Sequence, residues 1–111
     1  MAYQGFGDGI EADGKVVRRF AEAGGALFVS NSFSKSFSLY GERVGALSIA
    51  ASSAEEAARI MSQLKRVIRT TYSNPPIHGG QVVATVLSTP DLLQLWEDDL
   101  AGMPVLIVAL R

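Results

Sequence analysis

A chain of 111 residues has room for one modest hydrophobic core. Hydrophobic residues make up 48% of it and charged residues 19%, a balance that excludes a disordered chain. The net charge of -1, the lack of cysteine and the lone histidine, His78, argue in turn against a nucleic-acid surface, a disulfide framework and a zinc centre.

In chain order, residues 1–13 are rich in glycine and aspartate and read as a loop. A short helix is predicted over Gly14–Ala23, with Val16, Val17 and Phe20 as its apolar stripe and Arg18, Arg19 and Glu22 toward water. Gly24 and Gly25 supply a left-handed stop. Ala26–Ser30 is a short apolar run, expected to be a buried parallel strand, and Val44–Ala51 is a second strand expected to be covered on both faces. Ser53 then caps the strongest helix signal, with Glu56 at the capping-box position. In that helix Ala57, Ile60, Met61, Leu64, Val67, Ile68 and Thr71 recur at helical spacing. The paired prolines 75 and 76 end it. A further helix runs from about Ile77 to Leu87, and Thr89 caps a last one with Pro90 at its first position. Pro104 is expected to kink or end that helix, at a cost of about 3 kcal/mol to a helix interior. The apolar run Val105–Leu110 behind it is an exposed tail that invites association, and is too short to span a bilayer. The N-terminus lacks the basic-then-apolar plan of a signal peptide, so the expected setting is cytoplasmic and membrane-free.

The alternation of helix, strand, loop, strand and long helix is that of an α/β layer architecture. Two strands do not complete a parallel sheet, so the chain reads as part of a domain. Between the strands lies the chemistry. Lys35 stands in a loop of serines and aromatics with no acid nearer than Glu42, and Arg43 follows on the same loop. An unpaired amine beside a guanidinium suits an anionic ligand that also needs a nucleophile. Pyridoxal 5′-phosphate carries both demands in one molecule, an aldehyde for the lysine and a phosphate for the arginine. Taken alone, a lysine in a polar loop is usually only solvated.

The flanking residues change that weighting. Ser32, Phe33, Ser34, Lys35, Ser38, Leu39, Gly41, Arg43, Val44 and Gly45 fill a pattern of small, apolar and charged positions. That pattern resembles the lysine-attachment motif of the class I pyridoxal-phosphate aminotransferases. Ala2–Phe6 upstream and Ile68–Pro76 downstream lie at the same family's spacing. The likeness is to the aspartate and aromatic-amino-acid aminotransferases and covers residues 1 to about 103.

The resemblance implies part of the large domain of a fold-type I transferase, a mostly parallel sheet flanked by helices. Residues 1–89 would belong to this cofactor-binding domain, and 90–111 would begin the helix toward a small domain, diverging after 103. It implies Lys35 as the residue that forms the internal aldimine and then carries the substrate α-proton. Tyr3 would bond the cofactor's phenolic oxygen and lower the aldimine pKa, while Ser32, Ser34 and Arg43 would hold the phosphate. Arg69 would reach a neighbouring subunit's site and recognise a substrate side-chain carboxylate, which implies a homodimer. Its own surroundings, beside Lys65 and Arg66, also fit a solvated basic face. His78 reads as a packing or helix-start residue, and Phe37 and Trp96 as core or interface.

The implied substrates are an amino acid and a 2-oxo acid. Aspartate and aromatic preferences stay open, because aromatic members of the family keep this arginine too. The family's aspartate for the pyridine nitrogen would stand three positions before Tyr3, outside this sequence. The α-carboxylate arginine is likewise outside it. The alternative is a truncated, non-catalytic remnant with weak cofactor binding or self-association. A pyridoxal lyase fits the loop but not Ile68–Pro76.

Overall fold

The computed structural model describes the backbone of residues 1–109 and the side-chain surroundings of residues 1–103. In chain order it contains α1 (Ile10–Asp13), α2 (Lys15–Glu22), β1 (Leu27–Ser32), β2 (Gly45–Ala50), α3 (Ala54–Thr71), α4 (Ile77–Ser88) and α5 (Pro90–Ala109). The α/β reading therefore stands, with corrections. The glycine-rich start is not all loop, since α1 forms directly before α2. Gly24, at φ 74°, is the left-handed stop expected after α2.

β1 and β2 pair antiparallel, in the register Leu27 opposite Ala50 through Ser32 opposite Gly45. The run expected as a parallel strand thus meets the next strand antiparallel, because a parallel return between them would need a crossover element. Residues 33–44 contain no helix and simply turn the chain back. A parallel relation does occur on the other edge of β1. The Met1 amine donates to the Ser30 carbonyl, and Ser32 N–H donates to the Met1 carbonyl at 2.9 Å. This is the two-sided pattern of a parallel bridge around Asn31. The expected double cover of β2 also fails: Leu47 is half exposed, and Phe28 beside it on β1 is 66% exposed. Both lie on one sheet face that no described element covers.

The interior is correspondingly small. Val83 on α4 and Leu100 on α5 are the buried hydrophobic residues among those described. Of the expected stripe of α2, Val17 is partly buried toward β1, while Val16 and Phe20 are each 63% exposed. The radius of gyration is 16.1 Å, against roughly 13 Å for a compact domain of this size. α3 accounts for much of the excess, since none of its residues is buried. Its start follows the capping expectation with one change. Ser53 Oγ accepts from Glu56 N–H at 3.1 Å, but the Glu56 carboxylate reaches back to Ser52, taking its N–H at 2.6 Å and its hydroxyl at 2.7 Å.

α4 and α5 pack together and bring two faces to the β1–β2 connection. Gly79 on α4 sits so close to this segment that a Cβ there would lie 2.9 Å from the Cβ of Glu42 and 3.2 Å from that of Val44. On α5, Trp96 and Leu100 are one turn apart and share a face. Trp96 stacks on Phe37 with ring centroids 4.7 Å apart, and its Nε1 donates to the Ser36 carbonyl at 2.7 Å. Leu100 packs on Gly5. One helix face thus holds both the lysine loop and the N-terminal turn.

Two terminal expectations are resolved differently. α5 runs through Pro104 to Ala109 and is not ended there. A proline removes its own bond to the carbonyl four residues back and crowds that carbonyl, but the helical bonds before and after it can persist. The association expected of the Val105–Leu110 side chains lies outside the described residues.

Candidate functional site

The loop that follows β1 is built as a compact turn. Phe37 N–H donates to the Phe33 carbonyl at 3.2 Å and Ser38 N–H to the Lys35 carbonyl at 3.1 Å. Phe33 and Phe37 meet edge to face at 5.4 Å, and Trp96 closes the other side of Phe37. Lys35 is therefore carried on an anchored turn, not on a free strand of backbone. Its side chain is half buried, and its Nζ lies 4.3 Å from the centroid of the Tyr40 ring and 6.0 Å from that of Tyr3. The negative faces of aromatic rings stabilise a nearby ammonium without neutralising it.

Arg43 reaches Tyr40 through that residue's backbone. Its Nη1 donates to the Tyr40 carbonyl at 2.7 Å. Its backbone is left-handed, at φ 53°, as is that of Ser38 at the opposite end of the turn. Such geometry costs an ordinary residue about 1–2 kcal/mol, and it recurs where a site dictates the backbone. Among the described residues, neither Lys35 nor Arg43 has a carboxylate within ion-pairing distance; the ion pairs join Arg18 to Glu11 and Arg59 to Glu55. The adjacent Glu42 does not capture Arg43. Two cations are thus left without a counter-ion on one anchored turn.

Ser32 and Ser34 lie at its entrance, where Ser34 N–H donates to Ser32 Oγ at 3.3 Å. Tyr3 reaches the same region from the N-terminal turn. Its ring is mostly exposed and meets Phe6 edge to face at 6.0 Å. The structure therefore gathers Lys35, Arg43, Ser32, Ser34 and Tyr3 at one end of the sheet. Their chemistry fits an anion bearing a carbonyl: an amine for the carbonyl, a guanidinium and hydroxyls for the anion, and a phenol beside them.

Arg69 is not brought to this group. It lies on exposed α3, where its guanidinium donates to the Ser73 hydroxyl at 2.5 Å. With Lys65, Arg66 and Thr70 it lines a shallow surface groove. His78, the second residue of exposed α4 backbone, keeps to the helix-start role. A cavity of about 120 Å³ lies behind the lysine turn, lined among others by Asn31, Phe33, Phe37 and Trp96. Ser32 also lines it, but neither Lys35 nor Arg43 does. The Asn31 side-chain oxygen is buried without a hydrogen-bond partner.

Sequence reasoning missed three contributors. Tyr40 joins the lysine to the arginine, one through its ring and the other through its carbonyl. Gly79 lets α4 approach the backbone on either side of Arg43. Asp13 organises the N-terminal turn: its Oδ2 accepts from Gly5 N–H at 2.8 Å and Gly7 N–H at 3.0 Å, and its Oδ1 from Asp8 N–H at 3.1 Å. These bonds, the one from Gly7 foremost, hold the Asp13 carboxyl below the usual carboxylate range against a smaller desolvation effect.

With that geometry in place, comparisons with known proteins are specific. The family model described as aminotransferase class I and II matches residues 1–103. An aspartate aminotransferase of Pseudomonas aeruginosa is 64% identical over 103 residues, which is 93% of this chain and 26% of that protein. An aromatic-amino-acid aminotransferase of Escherichia coli is 50% identical over 111 residues, 100% of this chain and 28% of that protein. Among solved structures, the aromatic-amino-acid aminotransferase of Burkholderia pseudomallei, covalently bound to pyridoxal phosphate, superposes with a TM-score of 0.94 at 64% identity. That match covers 97% of this chain and 27% of that one. The chain spans about a quarter of the length of these relatives.

Proposed function

We propose, for a chain that belongs to the aminotransferase class I and II family, that it is the lysine-bearing segment of a pyridoxal-phosphate transaminase. The reaction exchanges an amino group between aspartate or an aromatic amino acid and a 2-oxo acid. The observation that carries this reading is the pair of uncompensated cations, Lys35 and Arg43, joined through Tyr40 on one anchored turn.

When bound, the cofactor supplies an aldehyde and an electron-withdrawing ring. This chain's residues would supply the amine, the phosphate donors and the phenol, while the pyridine-nitrogen and α-carboxylate partners fall outside this sequence. Lys35 Nζ is the amine nucleophile and, once released, the base that moves the substrate α-proton. Arg43 presents a rigid guanidinium to the phosphate, which it suits better than a lysine would, and the Ser32 and Ser34 hydroxyls fill remaining acceptor positions. Tyr3 bonds the cofactor's phenolic oxygen. Arg69, held away from this group, recognises a substrate carboxylate in a partner subunit's site, so the working unit is a homodimer. The named relatives act on aspartate or aromatic amino acids, which supports the same substrates here. No described helix is long and apolar enough to cross a membrane.

Purified chain titrated with pyridoxal phosphate tests the reading. The expected result is a visible absorbance band of lysine-bound cofactor that is abolished in Lys35→Ala and weakened at least tenfold in affinity in Arg43→Ala. A band that survives Lys35→Ala would sink the assignment. A second reading, self-association without catalysis, draws on the exposed Phe28, Leu47, Met61 and Val67. Sedimentation showing concentration-dependent oligomers, with no cofactor band, would favour it.

A further inference from the structure

The Tyr3 side chain poses a problem of placement. Its ring is 62% exposed, and its ring neighbours are Phe6 and the Lys35 ammonium, each at 6.0 Å. Burial does not fix such a ring. Its position must come from the backbone that carries it, and that backbone is a glycine-rich segment with a high entropic cost of ordering. The segment is held at two ends. On one side Met1 bridges to β1. On the other, Phe6 N–H donates to the Tyr3 carbonyl at 3.1 Å, closing a turn. The three N–H groups that follow or flank this turn, from Gly5, Gly7 and Asp8, all end on Asp13. Gly5 takes a left-handed φ of 93°, and a Cβ there would lie 2.4 Å from Leu100 Cδ2. The turn therefore has one seat, and a single carboxylate locks it there.

We infer that Asp13 is a positioning residue for Tyr3, and through Tyr3 for the environment of the Lys35 amine. This deepens the reading of the Lys35 site given above and rests on it. Asp13 touches neither Tyr3 nor Lys35 side chains; it acts by fixing the backbone on which the phenol is mounted. An ordinary structural aspartate would support the fold without setting the phenol. The distinction is measurable because Tyr3 has its own readouts.

The test uses the full chain with Asp13→Asn, Tyr3→Phe and the double variant. Asparagine keeps the shape but removes the charge and one acceptor oxygen. Without cofactor, ring contacts of Tyr3 with Phe6 and with the Lys35 side chain are read by nuclear Overhauser effects. Amide exchange of Gly5, Gly7 and Asp8 is followed in parallel. With pyridoxal phosphate, the pH midpoint of the lysine-bound absorbance band is measured. Asp13→Asn is expected to weaken the Tyr3 ring contacts at least twofold and to raise that midpoint in the same direction as Tyr3→Phe. In the double variant it should add nothing further. Gly7→Ala provides a second route, since its Cβ would stand 2.6 Å from Asp13 Oδ1 and push the carboxylate aside without deleting it. If Asp13→Asn does not fold, Gly7→Ala is expected to give the same loss of Tyr3 contacts. Faster amide exchange with unchanged Tyr3 contacts and midpoint would overturn the inference and leave Asp13 a structural residue. Absence of any band in the unaltered chain would instead refute the cofactor reading, and the ring contacts would still decide the role of Asp13.

Discussion

The lysine turn and α3 both carry arginines expected at an active site, yet they are built in opposite ways. The turn at residues 33–44 is gripped from three sides: by Trp96 on α5, by Gly79 on α4 and by the hydrogen bonds running from Phe33 to Ser38. α3 has no fully buried residue among those described, only a partly buried face of Ile60, Leu64 and Ile68, and its Arg69 bonds Ser73 just past the helix end. A cofactor that bonds covalently needs its amine, phenol and anion donors fixed to within a fraction of an ångström. Under the proposed function, Arg69 would instead be presented at the surface to a partner subunit, and the difference in packing is consistent with that division.

The largest effect that tests this contrast is Leu100→Ala. Leu100 is 1% exposed and seats the Gly5 turn on the same helix face that holds Phe37. Truncating such a side chain costs about 2–5 kcal/mol. Met61→Ala on α3, where the side chain is half exposed, is expected to change stability by no more than about 0.5 kcal/mol. Urea unfolding of both variants measures the two. Comparable losses would break the contrast, by making α3 as much part of the folded unit as α5.

A finer comparison uses two neighbouring glycines in α4. Gly79 faces Glu42 and Val44, whereas a Cβ on Gly80 would meet nothing within 4 Å. Alanine at position 80 gains helix propensity alone and is expected to stabilise by about 0.5–1 kcal/mol. At position 79 the same gain is set against overpacking, which costs about 1–3 kcal/mol. The backbone it displaces carries Arg43. Gly79→Ala is therefore expected to weaken pyridoxal phosphate affinity as well as stability, and Gly80→Ala to leave affinity unchanged. Equal affinities in the two variants would show that Arg43 does not depend on the seat that α4 gives it.

The lysine turn was legible in the sequence because its signals are local. Lys35, Arg43 and the serines lie within one short stretch, and the absence of an acid beside the lysine is a property of that stretch alone. The helix boundaries were legible for the same reason: Ser53 and Glu56 mark a start, Pro75 and Pro76 a stop. What failed was nonlocal. The apolar runs at Leu27 and Gly45 look alike in either direction, and only the short link between them selects antiparallel pairing. The stripe of Val16, Val17 and Phe20 reads as core by periodicity, yet β1 covers only the Val17 side and leaves Val16 and Phe20 exposed. Asp13 and Gly79 were silent because their importance lies in backbone groups and empty space, neither of which composition or spacing reports.

The smallest effect concerns the start of α3, and it asks whether an unpacked helix is nonetheless defined by its own ends. Removing the hydroxyl that accepts from Glu56 N–H, in Ser53→Ala, is expected to cost about 1 kcal/mol of helix stability. The Glu56 carboxyl adds a pH signature. Hydrogen bonds from the Ser52 hydroxyl, and then from its N–H, hold it below its ordinary value of 4.5, with Arg59 assisting. A carboxyl depressed in the folded state stabilises fully above its unfolded pKa and loses that contribution as pH falls through the folded one. Amide exchange at the first turn of α3 should therefore accelerate below about pH 4.5, relative to the intrinsic rate at each pH, and the acceleration should vanish in Glu56→Gln. Asp13 titrates downward in the same direction from 3.8, but its amides belong to Gly5, Gly7 and Asp8, so residue-resolved exchange separates the two. If the first turn of α3 frays only when the lysine turn unfolds, the helix is not independent. In that event α3 shares the rigidity of the turn, and Arg69 is held as firmly as Arg43.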